Sequence, residues 1–120
     1  MKIQIIKILD ESTKQVLCKS KFGTFEVSWS GELPIEGERH DVELDVEGTI
    51  EVKELCPCIL SSDKGITILQ GEAELVCSDT LCIIRLGHYI IQVESKNDHV
   101  TPGDFVRVVC DKLVATSYRY

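Results

Sequence analysis

The stretch Asp41-Val42-Glu43-Leu44-Asp45-Val46-Glu47 alternates acidic and aliphatic residues without a break. Successive side chains of a β-strand point to opposite faces, so this pattern predicts a strand with one acidic and one apolar face. We therefore expect a sheet that buries the aliphatic side and turns four carboxylates outward.

The same period of two recurs along the whole chain and predicts an all-β fold. Apolar residues share one parity in several further segments: Phe25, Val27 and Trp29; Tyr89, Ile91 and Val93; Val106, Val108 and Cys110. No segment shows a clean helical period with caps. We predict a compact antiparallel β-barrel or β-sandwich of about ten short strands. Their expected positions are roughly 2–9, 15–21, 23–29, 39–47, 49–55, 58–61, 66–77, 81–86, 88–95 and 104–119.

Length and composition are those of one folded domain. The chain has 120 residues, of which 43% are hydrophobic and 28% charged, as in an ordinary globular protein. Similar runs begin at Gly37 and at Gly103. We predict a single domain over 1–120 in which residues 65–120 repeat the five-stranded pattern of residues 1–60. The alternative is chance similarity between alternating strands.

Negative charge is concentrated in the middle of the chain. The net charge is −7, from 13 Lys and Arg against 20 Asp and Glu. Residues 31–54 hold nine acids and two bases and so account for a net −7, whereas residues 1–30 carry +2 and residues 55–120 carry −2. Lining up like charges is unfavourable, and solubility alone does not require it.

We interpret these acids as a docking surface for a basic protein, because complementary charge raises association rates and selects partners. The predicted partner-binding residues belong to the alternating strand and its flanks: Glu36, Glu38, Asp41, Glu43, Asp45, Glu47 and Glu51. The alternative is a solvated outer face, or an edge strand that is charged to prevent aggregation.

The six cysteines are expected to be reduced, and most lie among aliphatic residues, where cysteine acts as a small buried hydrophobe. A metal site would have to combine Cys56 and Cys58 with Cys77 and Cys82. Paired zinc ligands are usually separated by about two to four residues, so the single proline between the first two fits poorly. These four are weak metal candidates, and we expect no metal and no other cofactor.

Motifs for catalysis are missing from the sequence. It contains no glycine-rich phosphate loop, no Gly-x-Ser-x-Gly elbow and no His-Glu-x-x-His. His40, His88 and His99 are isolated in sequence. The acids lie on an exposed strand rather than in environments that would separate their pKa values. We expect a binding protein and not an enzyme.

Nucleic acid is not an expected partner, because the chain is acidic and has few aromatic residues for base stacking. No apolar run approaches the ~20 residues of a membrane span, and no cleavable leader is visible, so we expect a cytoplasmic protein. The prediction is an inhibitor of the immunity-protein or antitoxin kind, which neutralises a basic partner such as a toxin nuclease. The alternatives are an OB-like or other β-barrel that binds a small ligand or an oligonucleotide, and an accessory subunit of a larger complex.

Overall fold

Residues 1–95 and 99–118 contain a sheet of nine strands, which confirms the all-β class. The structure, a computed structural model, describes residues 1–95 and 99–118. The strands are β1 (Lys2–Asp10), β2 (Gln15–Ser20), β3 (Gly23–Ser30), β4 (Arg39–Lys53), β5 (Ile59–Asp63), β6 (Ile66–Val76), β7 (Leu81–Leu86), β8 (Tyr89–Glu94) and β9 (Phe105–Ser117). Over the described ranges, no helix has the length and apolar character needed to cross a membrane.

Gly48 lies opposite a bulge in β9 and is not a turn, so the strands predicted at 39–47 and 49–55 are one strand, β4. A Cβ at Gly48 would collide with the carbonyl oxygen of Val109 on β9. Glycine permits this close approach of two backbones and the local change of register. The predicted end of the last strand, at position 119, lies outside the described residues.

The long antiparallel pair β4–β9 forms the centre of the sheet. β1, β2 and β3 form a meander in which β1 pairs antiparallel with the start of β4, and β3 pairs parallel with the end of β9. β6, β7 and β8 form a second meander with the partners exchanged, so that β6 pairs with β9 and β8 runs parallel to β4. The sheet is therefore mixed rather than wholly antiparallel, and it closes on itself. β5 pairs with β6 and lies beside β3.

The loops that precede β4 and β9 have the same pattern of backbone hydrogen bonds. Gly37 and Gly103 both have a positive φ, of 89° and 95°. Their N–H groups donate to the carbonyls of Ile5 and Ala73, at 2.7 and 2.8 Å, and the carbonyl of the residue after each glycine accepts the N–H of the same strand residue. The two glycines at which the sequence runs are similar thus share one pattern of hydrogen bonds.

Apolar side chains at alternate positions of the strands line the interior. Val42, Leu44 and Val46 on β4 are buried, with at most 4% of each residue exposed. Ala115 on β9 is directly opposite Leu44 and is also buried. Because these side chains point inward, their acidic neighbours on β4 must point outward.

Candidate functional site

A row of four carboxylates lies on the outer surface of β4. Asp41, Glu43, Asp45 and Glu47 are all exposed. Strand geometry places successive members of the row roughly 6.6–6.8 Å apart. The row therefore presents negative charge at regular intervals over the first half of the longest strand.

The strands beside β4 complete the surface around this row. β8 runs parallel to β4 and places Gln92 beside Asp45 and Glu94 beside Glu47. On the opposite side, β9 places Lys112 beside Glu47. These residues line a shallow cavity of about 270 Å³. Negative charge is therefore extended onto β8 and partly balanced from β9.

The bulge between β4 and β9 supplies one more carboxylate. Asp111 is the residue that the register shift leaves without a partner on β4. Glu47, Glu94 and Asp111 line a second open cavity, of about 350 Å³. We call the following carboxylates the acidic face: Asp41, Glu43, Asp45, Glu47, Glu94 and Asp111.

Cations do not neutralise the acidic face by direct contact. Within residues 1–95 and 99–118, no lysine or arginine forms an ion pair with any of its six carboxylates. Glu43 instead accepts a hydrogen bond of 2.7 Å from the hydroxyl of Tyr118. Like charges directly opposite each other destabilise a sheet, so Glu47 beside Glu94 costs stability in the free protein.

The other three acids predicted from the sequence lie apart from the acidic face. Glu36 and Glu38 accept backbone N–H groups at 3.1 and 2.7 Å and so hold the loop before β4 in place. Glu51 lies beyond the bulge and forms an ion pair of 2.8 Å with Lys53. The hydrogen bond from this lysine lowers the pKa of Glu51. These three carboxylates therefore have local partners.

A hydrogen-bonded chain centred on His40 has no signal in the sequence. His40 Nδ1 lies 2.8 Å from Ser117 Oγ, and Nε2 lies 3.2 Å from Glu38 Oε1. The ring also packs edge-on against Trp29, with 5.1 Å between the ring centroids. Only 9% of the His40 side chain is exposed. These two hydrogen bonds of His40 link β4 to β9 and to the loop that contains Glu38.

The four weak metal candidates are not gathered into one site. Cys56 is half-buried and Cys58 exposed in the loop after β4, whereas Cys77 is exposed and Cys82 fully buried near the β6–β7 turn. In the described part of the chain, no three His, Cys, Asp or Glu side chains are placed to hold a metal ion. Burial raises the pKa of the Cys56 and Cys82 thiols and disfavours the thiolate that binds metals.

Glu94 and Asp111 are the members of the acidic face that sequence reasoning missed. Glu94 lies beside Glu47 because β8 pairs parallel with β4, and Asp111 joins them because of the bulge. Both causes are long-range pairings. The alternation around Glu94 indicates an outward side chain, but it does not indicate which strand lies next to it.

No protein-family model, no curated protein and no solved structure matches this chain.

Proposed function

We propose that the chain is a protein-binding inhibitor whose acidic face covers a basic surface of its partner. The observation that carries this proposal is the row of exposed carboxylates on β4, extended by β8 and β9 and without direct ion pairs to lysine or arginine in the described residues. The strand arrangement holds these groups at regular positions, so a partner meets a preformed pattern of charge.

A basic partner is favoured because it would relieve the repulsion within the free protein. Two unit charges about 7 Å apart in water interact by about 0.6 kcal/mol, and each neighbouring pair of the row contributes such a term. Lysine and arginine side chains of a partner would replace this repulsion with attraction. Complementary charge would also raise the association rate, towards ~10⁸ M⁻¹s⁻¹ at low salt.

A nuclease matches this description of the partner. Its substrate groove carries lysine and arginine residues that contact phosphates. A row of carboxylates can occupy the positions that the phosphates would take and so exclude the substrate. An inhibitor of the immunity-protein or antitoxin kind would need only this competition, and a toxin nuclease is the partner class that we propose.

The test is affinity capture from the native cell lysate with three forms of the protein. The first is wild type, and the second is the face variant Glu43→Gln/Asp45→Asn/Glu47→Gln. The third is a matched control, Glu11→Gln/Glu54→Gln/Asp63→Asn, which removes the same charge from exposed positions outside the acidic face. Captures are made at low and high salt, and the captured protein is then purified and assayed for nuclease activity.

We expect wild type and the control to retain one basic protein at low salt, and the face variant to lose it. Stoichiometric wild-type protein should then block the activity of the purified partner. Equal capture by the face variant and wild type would refute the role of the acidic face. A captured nuclease that remains fully active in the complex would refute inhibition.

A further inference from the structure

An open groove lies at the Asp41 end of the β4 row, where β4, β1 and β2 are neighbours. It has a volume of about 520 Å³. Among the described residues, four cations line it, Lys2, Lys19, Lys21 and Arg39, and the only carboxylate is Asp41. We call these four residues and the space between them the basic groove.

Strand register brings the cations together on one face. Gln4 on β1 lies between Lys19 on β2 and Arg39 on β4, so these three side chains form one row across the strands. Lys2 lies opposite Asp41 in the next row along the same face. Neighbouring strands are about 4.8 Å apart, which places the two ends of the first row about 10 Å apart. An anion between them can contact both.

The four cations of the groove differ from Lys53 and Arg85, which form ion pairs with carboxylates. Within the part of the chain that the structure describes, none of the four forms an ion pair. The Lys21 ammonium lies 5.2 Å from the ring centroid of Phe22 and 5.9 Å from that of Tyr89, so it forms cation–π contacts rather than an ion pair. In a chain with a net charge of −7, four such cations at one groove represent a marked separation of charge.

We propose that the basic groove binds the phosphate group of a small ligand of nucleotide size. Phosphate is the chemistry that fits, because arginine and lysine donate several charge-assisted hydrogen bonds to its oxygens. The volume lies within the range of about 300–1,000 Å³ that is typical of small-molecule sites. This inference does not rest on the proposed inhibitor function, since the groove and the acidic face use different residues apart from Asp41.

The test is an NMR titration of the backbone amides with adenosine monophosphate, using adenosine without phosphate as the matched probe. An oligothymidine of eight nucleotides forms a third arm and separates a small ligand from a nucleic-acid strand. The groove variant is Lys19→Gln/Arg39→Gln. Its control is Lys7→Gln/Lys64→Gln, which removes two exposed cations that do not line the groove.

We expect adenosine monophosphate to shift the amides of Ile3, Gln4, Ser20 and His40, and adenosine to shift none of them. The groove variant should bind at least about tenfold more weakly, since about 1.4 kcal/mol of lost charge-assisted contact corresponds to a factor of ten. The control should bind as wild type does. Equal binding of adenosine, equal weakening in the control, undiminished binding by the groove variant, or binding of the oligonucleotide alone would each overturn the proposal.

Discussion

Removing the charges of the β4 row should make the free protein more stable. The perturbation is the face variant Glu43→Gln/Asp45→Asn/Glu47→Gln, which replaces three exposed carboxylates by amides of similar shape. The substituted side chains point into solvent, so the core residues between them are undisturbed. A gain in stability would mean that the carboxylates of the wild-type row lower the free energy of unfolding of the free protein.

The magnitude follows from the spacing of the charges. The variant removes three repulsions along the strand of about 0.6 kcal/mol each at ~6.8 Å. It also removes the repulsion between Glu47 and Glu94 and the attraction between Glu47 and Lys112. These two changes are of similar size and cancel, because Glu94 and Lys112 are the direct neighbours of Glu47 on the two adjacent strands. The hydrogen bond from Tyr118 to Glu43 becomes weaker when the acceptor is neutral, by about 0.5 kcal/mol. A net gain of about 1 kcal/mol remains at low ionic strength.

The assay is urea unfolding of wild type, the face variant and the control Glu11→Gln/Glu54→Gln/Asp63→Asn. Each protein is measured at about 10 mM salt and at about 1 M salt. We expect the face variant to have the highest midpoint at low salt. The gain should vanish at high salt, because the screening length falls to about 3 Å, less than the spacing of the row. A face variant that is no more stable than the control, or a gain that persists in high salt, would refute the argument from repulsion.

Two further predictions concern the interior. Burial raises the pKa of the Cys18 and Cys110 thiols from 9.0 to about 12. The unfolded chain therefore loses these protons first, and the free energy of unfolding should fall as pH rises above about 9. Unfolding measured over a range of pH tests this, and an equally steep fall in a Cys18→Ala/Cys110→Ala variant would contradict it. Ser117→Ala should lower the free energy of unfolding by about 1 kcal/mol through the lost bond to His40, with Ser30→Ala as the control. Labelling of Ser117 by a fluorophosphonate probe would show that its role is not structural alone.

The row of carboxylates on β4 could be predicted from local sequence because its cause is local. Alternation in residues 41–47 is enough to place carboxylates and aliphatic side chains on opposite faces of a strand, and the structure has Val42, Leu44 and Val46 buried with their acidic neighbours exposed. The same reasoning did not distinguish Glu51 from the row, because alternation does not show the ion pair that Glu51 forms with Lys53.

The basic groove shows the limit of the local argument. The lysines of the first thirty residues are scattered in sequence and look like ordinary surface residues. They meet Arg39 because β1 pairs with β2 on one side and with β4 on the other. The parallel pairings of β3 with β9 and of β8 with β4 were likewise not foreseen, since parallel neighbours come from distant parts of the chain.

The sequence by itself determined the all-β class, the parity of each strand and the position of the charged row, because these follow from the period of two along a single strand. Only the tertiary structure decided which strands lie beside β4. Its pairings with β1, β8 and β9 brought Lys19 to Arg39 and Glu94 to Glu47. Which strands pair depends on how distant parts of the chain bury their apolar faces against each other. This contribution to the folding free energy depends on the whole chain, so no local pattern indicates it.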